Sequence, residues 1–292
     1  MINNLSKEDY FKKELFQLYS KIKNLPKSRS AHYARNLAAT QFYKVFLNAS
    51  LIIKGSENLP YQSSSIFIYN HLNTNPEYEI DLDFQITLDS HFISSFILNK
   101  YYKNPGIRII RNSLKSEKNH SNYYNKFDYI SVYSRDFLPK NITKKKLKDS
   151  NNDFFKRSLN ELKNNNSIII SPEGVSCETE NSPGKFKSGA FKLATMSRIE
   201  PYIVPIVMVN FDKIISNNTL KCEILKPFKM SDYGITSPHD PNLKNVVDII
   251  NKKYVKQIKS LIDFKLDFKD EISLLKKKIK LKKNKNDLIV LY

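Results

Sequence analysis

Only two cysteines, Cys177 and Cys222, occur in 292 residues. Two do not make a disulfide framework, so the small disulfide-stapled classes are excluded and a reducing, cytoplasmic compartment is the expectation. No apolar run approaches the roughly 20 residues that span a bilayer, so any membrane contact is expected to be peripheral. The opening "MINNLSKEDYFKKELF" lacks the apolar core of a signal peptide and carries acids, so secretion is not expected. There is no Gly-rich dinucleotide or P-loop pattern, no Cys/His cluster at metal-ligand spacing and no internal repeat. Acids are scarce beside bases: 29 Asp and Glu against 48 Lys and Arg, a net charge of +19. That balance suits a polyanionic neighbour, nucleic acid or anionic lipid, without choosing between them.

What is present is enough for a core. The chain is 40% apolar and 12% aromatic, which argues against general disorder. Residues 1–50 read as an N-terminal helical segment broken near Pro26, with Phe11, Leu15, Leu18 and Ile22 forming an apolar stripe. Such a pair either caps the main core or lies as a basic amphipathic surface on lipid. From 51 to 265 the pattern alternates. "LIIKG", "SIFIY", "FISSFIL", "IRII", "YISVY", "SIII", "YIVPIVMV" and "KCEIL" are strand candidates. Helices are expected around Phe154–Leu162, from Phe186 to Ser197, and over 241–264. The fold class is therefore α/β: a mainly parallel sheet flanked by helices, with an N-terminal helical pair. Ligands of such sheets sit beyond the strand C-termini, so the loops after "SIFIY" and "SIII" are the places to look for chemistry. Residues 266–292 form a basic C-terminal tail, read as solvated, as adhering to anionic lipid, or as binding nucleic acid.

Three stretches carry groups that can do chemistry. "SIFIY" ends in Asn70-His71, and His71 is either a base or an ordinary loop histidine; His32, His91, His120 and His239 have no better claim by position. Pro172-Glu173-Gly174 follows "SIII", which sets Glu173 at the sheet rim, or marks a turn with an acid in it. Downstream, "SPGKFKSGAF" brings Lys185 and Lys187 to a helix start, a plausible phosphate site. In "GIRIIR", Arg111 ends a strand and suits bidentate capture of phosphate, or pairs with a surface acid.

Taken in order, "GSENLP", strand-Asn70-His71, "GIRIIR", "SPEGVS…GKFKSGAF" and "IVPIV" resemble the glycerolipid acyltransferase family, from Gly55 to Pro205. "KCEILKPF" resembles the strand after the family's fourth block. The resemblance implies a peripheral-membrane enzyme that moves an acyl group from acyl-CoA or acyl-carrier protein to a phosphorylated glycerol acceptor, with no metal or cofactor. His71 would be the general base and Arg111 the phosphate ligand. Glu173 and Gly174 would shape the acceptor site, with charge added by Lys185 and Lys187, and Pro205 would be structural on the acyl-donor side. Nucleic acid is not an expected partner, since no binding motif accompanies the charge.

Two departures bear on this. Ser176 stands where the family's third block usually carries arginine. The family's Asp, separated from the histidine by four intervening residues, is here Pro76, which cannot orient an imidazole. A loop insertion would let a later acid fold back, since lengthening a surface loop costs little entropy. Asp89 and Asp83 rank level for that role, Glu77 behind them and Asp81 last. An enzyme for a different lipid acceptor and a catalytically inactive lipid-binding relative are the rival expectations.

Overall fold

The computed structural model describes residues 6–81, 84–134 and 138–265. The chain opens with α1 (Lys7–Lys23), begun by Ser6, whose hydroxyl accepts the Asp9 amide at 3.1 Å. Its stripe of Phe11, Leu15, Leu18, Tyr19 and Ile22 is buried. After the break at Pro26, Ser30 caps α2 (Ala31–Phe46), which buries Ala34, Ala38, Phe42, Val45 and Phe46. Both helices share one core with Phe67 and Tyr69 of the sheet. The stripe thus belongs to a cap on the core and is not available as a lipid-lying face.

The chain then passes through β1 (Ser50–Lys54), β2 (Ile66–Tyr69), the small β3 (Glu79–Asp81) and β4 (Phe84–Gln85), and α3 (Leu88–Phe92). From α3 a π-helical turn, Ile93–Asn99, leads into α4 (Lys100–Tyr102). Next come β5 (Ile107–Arg111), α5 (Lys118–Tyr124), β6 (Ile130–Val132), α6 (Lys144–Lys163), β7 (Ile168–Ile170) and α7 (Gly189–Met196). The described chain closes with β8 (Ile203–Val209), β9 (Thr219–Ile224) and α8 (Leu243–Asp263). Among the described residues seven strands make one sheet in the order β1-β9-β8-β2-β7-β5-β6. All neighbours pair parallel except β8 with β9.

Side-chain alternation builds a core on each face. Phe67 and Tyr69 of β2 join the layer of α1, α2 and α3, whereas Ile66 and Ile68 join that of α6, α7 and α8. One expected strand is not a strand: "FISSFIL" is helical from end to end. Its Phe92 and Phe96 rings pack on Phe46, and Phe96 stacks on Tyr43 at 4.6 Å, so the run is buried all round against α2. A short apolar run buried on every side reads alike as strand or helix, which is why periodicity misassigned it. No helix of the described residues is long and apolar enough to cross a membrane. The tail 266–292 lies outside the described residues.

Candidate active site

The C-terminal ends of β2, β5 and β7 meet at a cavity of about 1120 Å³, lined in part by His71, Arg108, Arg111, Gly174 and Lys187. Buried polar groups fix the β2 end. Asn70 is fully enclosed; its amide donates to the Met208 carbonyl and accepts from the Met208 amide, both at 2.8 Å, and also donates to the Ser182 hydroxyl. That leaves His71 at the rim, its side chain 26% exposed.

Nδ1 of His71 lies 2.6 Å from Oδ2 of Asp89, the first acid of α3. Asp89 is 1% exposed, and three donors meet it: the imidazole, the Leu72 amide at 2.9 Å and its neighbour's Ser90 amide at 2.5 Å. Burial alone would raise its pKa, but the His71 charge and these hydrogen bonds outweigh it and hold the carboxyl below the usual range. Burial likewise disfavours the imidazolium, yet Asp89, with help from Glu173, lifts the His71 pKa above 6.5. An ionised Asp89 only accepts, so Nδ1 carries the proton. Nε2 has no hydrogen-bond partner among the described residues, and such a pair can accept a proton there.

Pro76 starts a single 3₁₀ turn, Pro76–Tyr78, and β3 and β4 follow before the chain returns with Asp89. The carboxylate therefore arrives 18 residues after the histidine. Glu77 points away, paired with Lys12 at 2.5 Å and largely exposed. Asp83 lies outside the described residues, as does the Asp81 side chain.

Glu173 is 1% exposed and ties three loops together. Oε1 accepts the His71 amide at 2.8 Å and Oε2 the Gly184 amide at 2.6 Å. Burial raises its pKa against the pull of those amides. A side chain on Gly184 would sit 3.2 Å from Oε2 and crowd that approach. Gly174 turns the chain with φ +69, a left-handed value that favours glycine, and faces the Lys187 side chain. Lys187 is exposed at the cavity, whereas Lys185 is exposed away from its lining. Pro205 lies in β8 opposite Ile68.

Arg111 lines the cavity and is also paired: both its Nη atoms donate to Glu117 at 2.6 Å. The pairing with an acid, one of the two sequence readings of this residue, is thus present, and the paired guanidinium borders the cavity. Missed from sequence was Arg108, 3% exposed, whose Nη2 donates to Ser90 Oγ at 2.5 Å and Thr87 Oγ1 at 3.1 Å. The available signal was a charge between the isoleucines Ile107 and Ile109 of a strand, which must find polar partners if it faces inward. Among the described residues no group of three His, Cys, Asp or Glu side chains has metal-binding placement.

A parallel α/β sheet with a histidine–carboxylate pair at its C-terminal rim is the arrangement expected of an enzyme that works by proton abstraction. The sequence model of the Acyltransferase family matches residues 50–209, more than half of the chain, and the chain belongs to that family. The resemblance of the four ordered blocks is thereby borne out. Among solved structures the chain is similar to the 1-acyl-sn-glycerophosphate (LPA) acyltransferase PlsC from Thermotoga maritima, at 15% identity and a TM-score of 0.48, over 84% of this chain and 96% of that one. No curated protein matches.

Proposed function

We propose that this acyltransferase moves a fatty acyl group from a thioester, acyl-CoA or acyl-carrier protein, to a hydroxyl of lysophosphatidic acid or glycerol-3-phosphate. The observation that carries the reading is the 2.6 Å His71–Asp89 contact beside a cavity of about 1120 Å³. That volume exceeds a usual single-ligand pocket and leaves room for an acceptor and the reacting end of a donor together. Nε2 takes the acceptor's hydroxyl proton as its oxygen attacks the thioester carbonyl. Asp89 stabilises the imidazolium. The tetrahedral intermediate collapses, the C–S bond breaks, and the departing thiolate takes the proton back from Nε2. Neither a covalent acyl-enzyme nor a metal or cofactor is called for.

Arg111 and Lys187 are the cations at the cavity suited to an acceptor phosphate, with Glu117 having to share Arg111. A net charge of +19 favours an anionic membrane surface and an acidic carrier protein alike, so the enzyme would act at the cytoplasmic face as a peripheral protein. Asp89 supplies the carboxylate that Pro76 withholds, which counts against an inactive relative. A different lipid acceptor remains the second reading, favoured by Ser176 at the cavity where the family usually has arginine.

The test is label transfer from acyl-CoA to each acceptor by wild type and His71→Ala. We expect transfer to at least one acceptor and a loss of roughly 10²- to 10⁴-fold in the variant with its thermal stability kept. Wild-type rates in His71→Ala would overturn the assignment of the base. Transfer to neither acceptor would move the second reading ahead.

A further inference from the structure

Arg108 is a buried cation in an unusual position. No ion pair among the described residues involves it, and its Nε has no hydrogen-bond partner. What it does hold is the start of α3. Nη2 meets the hydroxyls of Thr87 and Ser90, and Nη1 lies 2.9 Å from Nε2 of His91. His91 in turn donates from Nδ1 to the Thr87 carbonyl at 2.6 Å; Nη1 is also 3.1 Å from that Nδ1, so the guanidinium lies against the ring, while Nε2 also faces the Tyr123 hydroxyl at 3.1 Å. The guanidinium also lies over the rings of Tyr124 and Tyr129, at 5.7 and 5.3 Å. Two hydroxyls and an imidazole ring on one helical turn therefore meet a single charge from β5 of the sheet.

That turn carries Asp89 between the clamped Thr87 and Ser90, and Ser90 gives its own amide to Oδ1. In this chain the carboxylate stands 18 residues from the histidine, beyond an intervening hairpin, so no short loop holds the two in register. We propose that Arg108 is the positioning residue of the His71–Asp89 pair: by tying Thr87, Ser90 and His91 to β5 it fixes Asp89 against His71. The clamp itself stands on geometry; its consequence for turnover rests on the acyltransferase reading. A guanidinium suits the task because its planar fork meets several acceptors at once, which a lysine ammonium cannot reproduce in the same geometry.

Two variants and two readouts test this. Arg108→Gln removes the charge and the fork. Thr87→Val/Ser90→Ala keeps Arg108 and deletes the two hydroxyls it holds, a small change that guards against a misfolded Arg108→Gln. The Leu72 amide, which donates to Asp89 at 2.9 Å, reports the carboxylate's position by hydrogen exchange without any substrate. In both variants Leu72 should exchange at least about tenfold faster, while the β2 amides Ile66–Tyr69 keep their protection. Turnover should fall by roughly 10- to 100-fold in kcat, with both KM values little changed. Unchanged Leu72 protection, equal loosening of β2, or a loss confined to acceptor KM would each overturn the proposal. If wild type transfers to neither acceptor, the proposed acceptor fails while the exchange result still decides the clamp.

Discussion

Arg108 and Arg111 leave the same strand three residues apart and do opposite things. Residues of odd separation on a strand face opposite ways. Arg108 points into the layer of α3 and α5, is 3% exposed, and meets only neutral acceptors and aromatic rings. Arg111 stands at the strand's C-terminal end, partly exposed, and grips Glu117 with both Nη atoms. Both border the cavity, but the first is enclosed by protein, whereas the second is partly exposed with a carboxylate for company. Position in the strand, not residue type, decides how exposed each one is.

The comparison is broken most severely at the pair that Arg108 supports. Asp89→Asn keeps the shape of the carboxyl but removes its charge, and should cost about 100-fold in kcat with the fold intact. Rates near wild type would mean that the imidazole needs no partner and that neither arginine serves it. Arg111→Ala should act on the other side of the comparison, raising the acceptor KM about tenfold with kcat within roughly twofold. An unchanged KM would confine Arg111 to its Glu117 pair. Lys187→Ala should raise the same KM by only about two- to threefold, because an exposed lysine is strongly screened. Lys185→Ala, away from the cavity lining, should change nothing measurable; an effect equal to that of Lys187 would make the whole lysine-bearing turn part of the acceptor site.

Much of this was legible in the sequence, for identifiable reasons. The apolar strands "SIFIY", "SIII" and "YIVPIVMV" are buried on both faces, and continuous apolar runs of that length divided by helices announce a parallel sheet. Once the sheet was expected, its C-terminal ends pointed to His71 and Glu173. The carboxylate was harder. Asp83 and Asp89 ranked level because sequence gives no measure of how far a loop folds back, and the decisive 2.6 Å contact depends on the path through Pro76, β3 and β4. Arg108 was harder to read: a charge between Ile107 and Ile109 needs polar partners only if it faces inward, and the sequence does not say which way it faces. Only the packing of α3 and the tyrosines around it turns that charge inward. "FISSFIL" failed for the reverse reason: its surroundings are apolar on every side, so no periodicity was left to read.

The central claim is that His71 is a base whose imidazolium Asp89 stabilises. The most direct measurement is the pH dependence of kcat/KM for acyl transfer in wild type and Asp89→Asn. The groups facing His71 are Asp89, Glu173, Arg108 and the Tyr69 ring. A base works in its neutral form, so activity falls as pH drops through the His71 pKa. In wild type that pKa is lifted above 6.5, chiefly by Asp89. Asp89→Asn removes the lifting charge, so the account predicts that the acid limb moves to lower pH while the plateau falls. An acid limb that stays in place, with the plateau unchanged, would contradict it.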